Sequence, residues 1–211
     1  MSPRVRLARQ RPRRRTHAER STETRAAIMG AVVESIAEVG FQRSTASEIA
    51  RRAGVTWGAV QHHFGGKDGI LTAVLEDSFD RFAERLSDID AAGMSLERRA
   101  ALFVDRAWEH FGSAHFRSTF EILQHYAAPS GEHAWQGQML EAWNRVWSQL
   151  FGDRPLSRAR RIALQHYTIS VLTGLASMLR FEAPSAAVRE IELGLLKETL
   201  ARELGAKAAR R

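Results

Sequence analysis

"TASEIARRAGVTWGAVQHHFGGKDGIL", residues Thr45 to Leu71, holds two short helical patterns hinged at Gly54-Val55-Thr56. Neither could bury a core alone. Thr45-Ala46-Ser47-Glu48 has the spacing of a capping box, T-x-x-E, which satisfies the free N–H groups at a helix start. Ala46, Ile49, Ala50 and Ala53 form that helix's inner stripe, and Gly54 suits the left-handed residue after its end. Thr56 then caps a second short helix with Val60 and Phe64 inward, so that Trp57, Gln61, His62 and His63 crowd its other sides. Gly65-Gly66 breaks the chain before a longer helix. Such a short, decorated helix needs a partner that accepts one helix at a fixed angle.

The rest of the chain reads as helix. Upstream, Ile28, Val32, Ser35, Ile36 and Val39 share one face and Gly40 stops it. Downstream, Ile70, Leu71, Val74, Leu75, Phe79, Phe82 and Leu86 recur at 3/4 spacing, then Leu96 to Phe111, Phe116 to Tyr126 (ended by Pro129) and Trp135 to Leu150. Residues 158–181 are apolar nearly all round, which predicts a helix buried on most sides, and a Leu-rich stripe runs from Val188 to Leu200. No strand alternation and no internal repeat are present. The expectation is an all-α protein of about nine helices: a basic arm over 1–20, a three-helix helix-turn-helix domain over 21–66, and an antiparallel helical bundle over 67–211 that opens with a connecting helix, 67–87.

Composition narrows the classes. The 211 residues are 44% hydrophobic, ample for a core, and no apolar run approaches the roughly 20 residues of a membrane span. There is no Cys, which excludes disulfides and thiolate metal sites. Residues 1–20 hold eight Arg and one Glu, a net +7 equal to that of the whole chain, so the basic character lies in the arm. The arm reads as polyanion-seeking or as a solubilising tail. No apolar segment follows it, unlike a secretory signal.

A helix, a glycine turn and a second helix with exposed N-terminal side chains is the helix-turn-helix pattern. The major groove of B-DNA admits one α-helix, so a reading helix can be short if it is rigidly aimed. The segment resembles the N-terminal domain of the TetR family of bacterial transcriptional regulators, whose pattern runs roughly T-x-x-x-I-A-x-x-A-G-V-S-x-G-x-L-Y-x-H-F-x-x-K-x-x-L. It is matched by Thr45, Ile49, Ala50, Ala53, Gly54, Val55, Thr56, Gly58, Val60, His63, Phe64, Lys67 and Leu71. The specific likeness covers residues 21–75. The resemblance implies Thr45, His63 and Lys67 at phosphate and Ser47, Trp57, Ala59 and Gln61 at base edges, with His62 at the backbone and Thr56 completing the set. Gln61 replaces the family's usual Tyr and has the groups for bidentate contact with adenine. Trp57 either meets thymine methyls and sugars or folds back onto the helix edge.

The second half shows no phosphate loop, nucleophile motif or metal-ligand spacing, so no catalytic residue, metal or cofactor is expected. Glu121 and His125 read as a surface i,i+4 pair. Aromatic residues are dense between Trp108 and Trp147. They are either ordinary core or, as the resemblance implies, the lining of an effector pocket: Trp108, Phe111, Phe120, Trp143 and Trp147, with His125, His166 and Tyr167 as polar anchors and Gln138 beside them. The resemblance further implies a cytoplasmic homodimer that represses from a near-palindromic operator on double-stranded DNA and is released by a small apolar or aromatic effector. Its four-helix interface would use Tyr167, Val171, Gly174, Leu175, Met178, Ile191 and Leu195. The rival readings are a constitutive dimeric architectural protein and an enzyme with an accessory DNA-binding domain.

Overall fold

The computed structural model describes residues 16–126, 134–181 and 184–206. Among them are nine α-helices and no strand: α1 (His17–Val39), α2 (Ala46–Arg52), α3 (Trp57–Phe64), α4 (Lys67–Ser87), α5 (Leu96–Phe111), α6 (Ala114–Tyr126), α7 (Ala134–Phe151), α8 (Arg158–Met178) and α9 (Ala186–Gly205), with a 3-10 turn at Phe41–Arg43. The all-α reading holds. The arm's residues 1–15, the expected stop at Pro129 and the side chains of Trp135 and Gln138 lie outside the described residues.

Two boundaries differ from expectation. Helix α1 begins at His17, inside the segment assigned to the arm, because Thr16 and Glu19 form a complete capping box: Thr16 N donates to Glu19 Oε2 at 2.7 Å and Glu19 N to Thr16 Oγ1 at 3.2 Å. The division at residue 67 is not a boundary between cores. Ile70, Leu71, Val74 and Leu75 of α4 pack with Ile28, Val32, Ile49 and Val60, whereas Phe82 and Leu86 of the same helix belong to the bundle core. Ile122 of α6 also joins the N-terminal core. Helices α4 and α6 therefore span both halves, and motion of either strains the packing of the other.

Polar contacts fasten the same junction. Ser118 Oγ donates to Val33 O at 2.9 Å. Glu121 does not pair with His125. Its Oε2 accepts the Phe41 N–H at 2.9 Å and its Oε1 accepts Arg180 at 2.7 Å, while the His125 ring lies 4.6 Å from that of Phe41. A backbone donor and a guanidinium thus occupy both oxygens of the carboxylate, and His125 is left to the aromatic face.

Helix α8 is not buried on most sides in the single chain. Leu164, Thr168, Leu172 and Ala176 form its buried stripe, four residues apart, and Leu193, Leu196, Leu200 and Leu204, three or four apart, form that of α9. Beside these stripes Tyr167 (44%), Met178 (54%), Ile191 (64%) and Leu195 (61%) stand exposed. Large apolar side chains gathered on a surface mark a contact site.

Candidate nucleic-acid interface

Helix α2 starts at Thr45, whose Oγ1 accepts Glu48 N at 3.3 Å and shares a 3.1 Å hydrogen bond with Ser47 Oγ. Only half of the expected capping box forms. The Glu48 carboxylate turns away to Arg51 (2.9 and 2.8 Å) and Arg52 (2.6 Å), which hold its pKa down to about 2. Two guanidiniums offer a carboxylate stronger hydrogen bonds than one backbone N–H does. Arg52 also reaches Glu38 at 2.6 Å and so ties α2 to α1.

The hinge after α2 has the geometry of a Schellman motif. Val55 N donates to Ala50 O at 3.0 Å and Gly54 N to Arg51 O at 3.2 Å. Gly54 adopts φ 66°, which favours a residue without a Cβ. Thr56 then caps α3, accepting Ala59 N at 3.2 Å, and Gly65 N closes the far end on Gln61 O at 2.8 Å. Arg25 of α1 adds a second clamp, donating to His63 O at 2.6 Å while its guanidinium lies 4.3 Å above the Phe64 ring. A Cβ at Gly69 would stand 1.8 Å from Phe64 O, so α4 begins hard against the end of α3. An eight-residue helix is thereby fixed at both ends, with Val60 fully buried beneath it.

The sequence-selected residues lie on α2 and α3 and at their caps, with Lys67 opening α4. Thr45, Ser47, Thr56, Gln61 and His62 are exposed; Trp57, Ala59, His63 and Lys67 are half-buried. Thr45 and Thr56 both use their oxygens as caps, and the Thr56 O–H remains a donor. Trp57 packs against the N-terminal core, the second of its two readings. The Lys67 ammonium lies 5.1 Å from the centre of the Phe41 ring, at the start of α4. Arg25 was missed in the sequence, although its spacing three residues before Ile28 puts a cation on the apolar face of α1.

The eight residues selected for an effector pocket do not converge. Phe111, Trp143 and Trp147 are buried in a packed aromatic cluster: Phe82 stacks on Trp143 at 5.2 Å, and Phe103 meets Trp147 edge-on at 5.7 Å. Phe120 stacks on Phe116 at 5.9 Å at the cluster's margin. Trp108 lies under the Arg189 guanidinium, 4.4 Å away. His125, His166 and Tyr167 are not in the cluster: His125 lies against Phe41, and His166 and Tyr167 are exposed on α8. Polar atoms within the bundle core are nevertheless unpaired. The indole nitrogens of Trp143 and Trp147 and the hydroxyl of Ser78 are buried without a hydrogen-bond partner. His110, buried beside Phe82 and Phe116, is pushed down to about 3 by loss of solvent, with smaller effects of His115 and Arg85.

Residues 28–74 match the model of the bacterial regulatory proteins of the tetR family. Those residues carry the DNA-binding domain of that family. The match covers both helices of the motif and the first part of α4. A curated relative, the HTH-type transcriptional regulator BetI of Escherichia coli, is 27% identical over 170 residues, covering 80% of this chain and 74% of the relative. Two solved structures share the fold. The multidrug binding protein EbrR, complexed with imidazole, has TM-score 0.65 at 15% identity and covers 89% of this chain and 98% of its own. The regulator FadR of Bacillus subtilis, in complex with stearoyl-CoA, has TM-score 0.60 at 16% identity and covers 87% and 99%. The chain thus carries a DNA-binding domain, and the curated relatives that match it over most of its length are transcriptional regulators. Among its described residues no group of acidic and histidine side chains has the geometry of a metal site, and no helix is long and apolar enough to cross a membrane.

Proposed function

We propose that the chain is a homodimeric bacterial repressor, acting in the cytoplasm, that holds a near-palindromic operator through α2 and α3 of both protomers. The observation that carries this reading is α3 itself: a helix of eight residues, clamped at both ends, with Val60 inward and Gln61 and His62 in solvent. In this reading Thr45, Thr56, His62, His63 and Lys67 hold phosphates and fix register, while Ser47, Ala59 and Gln61 face base edges. Trp57, partly folded into the core, offers only an edge to thymine methyls or sugars. The exposed Tyr167, Gly174, Met178, Ile191 and Leu195, with the half-buried Val171 and Leu175, support pairing of α8 and α9 with their two-fold copies.

An effector would enter the aromatic bundle and stabilise a state whose two reading helices no longer fit adjacent grooves. The unpaired donors of Trp143, Trp147 and Ser78 support this, because each costs about 1–3 kcal/mol until an acceptor reaches it. Of the residues first selected, Phe111, Phe120, Trp143 and Trp147 stay in the proposed lining, and His125, His166, Tyr167 and Trp108, the last capped by Arg189, do not. Two structural neighbours, a multidrug binding protein and a regulator in complex with stearoyl-CoA, agree with an apolar ligand. The direct ring contacts of the cluster favour the rival, a constitutive dimeric DNA-binding protein with no effector. A compound that binds the bundle and lowers operator affinity decides against that rival.

Replacing Gln61 by Ala tests the interface. Specific affinity should fall by about 1–3 kcal/mol, with relaxed preference at one base position. Measured against a panel of single-base operator variants, an equal loss on every sequence would place Gln61 at phosphate instead.

A further inference from the structure

An open groove of about 250 Å³ lies between α1, α4 and α6, apart from the aromatic cluster. Met29 and Val33 of α1 and Val74 of α4 give it an apolar bed. Gly30 leaves one wall without a side chain, and a Cβ built there would meet nothing within 4 Å. His115 of α6 lines the groove, and its Nε2 is buried without a hydrogen-bond partner. Loss of solvent and the nearby Arg81 keep this imidazole below its usual range, hence neutral at pH 7. Charge at the rim is unbalanced. Asp77 is paired with Arg81 at 2.6 Å, but Glu34, exposed on α1, makes no ion pair or side-chain hydrogen bond among the described residues.

A groove with an apolar bed, one unpaired carboxylate and one unsatisfied neutral imidazole selects against anions and in favour of a cation with an apolar body. Its volume is below the range of drug-sized pockets and suits one ring with a short chain. We propose that the groove between α1, α4 and α6 is a second ligand site, for a small aromatic monocation whose ammonium pairs with Glu34 and whose hydroxyl meets His115. The site is independent of any effector in the aromatic bundle. Because its walls come from the DNA-binding domain and from α6, an occupant touches both halves of the molecule.

Calorimetry of the full chain with tyramine tests this, with tyrosol as the uncharged comparator and 4-hydroxyphenylacetate as the anion. Tyramine should bind once per protomer, saturating below about 10 mM. Tyrosol should bind about tenfold more weakly and the anion not measurably. Glu34→Gln should bring tyramine down to the level of tyrosol. Gly30→Leu fills the groove with a better helix former, so it should abolish binding while leaving the thermal midpoint unchanged or higher. Equal affinity for the anion, no saturable binding by wild type, or binding that survives Gly30→Leu would each overturn the proposal. Survival in Gly30→Leu combined with loss in Trp147→Phe would place the ligand in the bundle, and so leave the effector reading standing while this one fails.

Discussion

Gly174→Glu is expected to sediment as a 23.7 kDa monomer and to lose operator binding, although no residue of α2 or α3 has changed. Gly174 lies on the exposed face of α8 between Tyr167 and Met178, and within the single chain a Cβ there meets nothing within 4 Å. The substitution should therefore leave the protomer's helicity and thermal unfolding nearly unchanged. In the proposed dimer the same position faces a two-fold copy, where a carboxylate must be desolvated without a partner at a cost of several kcal/mol. Losing one protomer also removes the second half-site contact, and that loss of multivalency lowers apparent operator affinity about 100-fold or more. Analytical ultracentrifugation and a gel-shift titration read the two effects separately. A variant that remains dimeric and binds normally would put the interface on another face.

The second large effect is a loss of stability in mild acid. The native His110 imidazole takes up a proton only near pH 3, whereas the unfolded chain does so near 6.5. Above 6.5 both states are neutral and the group contributes nothing to pH dependence. As pH falls below 6.5 the unfolded state alone binds the proton, so unfolding becomes easier by about 1.4 kcal/mol per pH unit until the native group titrates. His115 shifts in the same direction for the same main reason, loss of solvent. The carboxylates held low by arginine, Glu48 and Asp153 among them, lose their contribution only below the ordinary carboxylate range. The interval from pH 6.5 to 5 therefore isolates the histidines. Urea unfolding at pH 7.5 and pH 5 should show a drop of about 2 kcal/mol, and His110→Phe should remove most of it. Equal stability at the two pH values, or an equal drop in His110→Phe, would show that the imidazole is not desolvated.

Much of this architecture was legible in the chain because its elements are specified locally. The hinge needed only Gly54 between two capped apolar stripes, and the structure puts a Schellman motif there. The start of α3, with Thr56 as its one dominant cap, reads correctly for the same reason. Errors arose where a side chain had a choice of partners. Glu48 had a capping role by spacing, but Arg51 and Arg52 offered it stronger bonds. Glu121 had His125 one turn away, but the Phe41 N–H, 80 positions distant in sequence, took its place. Distance in sequence also hid Arg25, whose partner is the carbonyl of His63. The aromatic residues between Trp108 and Trp147 show a further limit. Periodicity marks a ring as inward but does not say whether the space beside it is filled by a protein ring or left for a ligand. His166 and Tyr167 failed as pocket anchors because helix α8 has two apolar faces, and only tertiary packing decides which one the bundle uses.

Selection of binding sites from a random duplex library, by repeated capture on the full chain and sequencing, tests the central claim most directly. The dimeric reading-helix arrangement predicts an enriched inverted repeat whose half-sites are centred about one helical turn apart, 34–36 Å, or at a related longer spacing. It predicts further that Gln61→Ala relaxes the same position in both halves. Enrichment of no sequence, or of sites without two-fold symmetry, would contradict it.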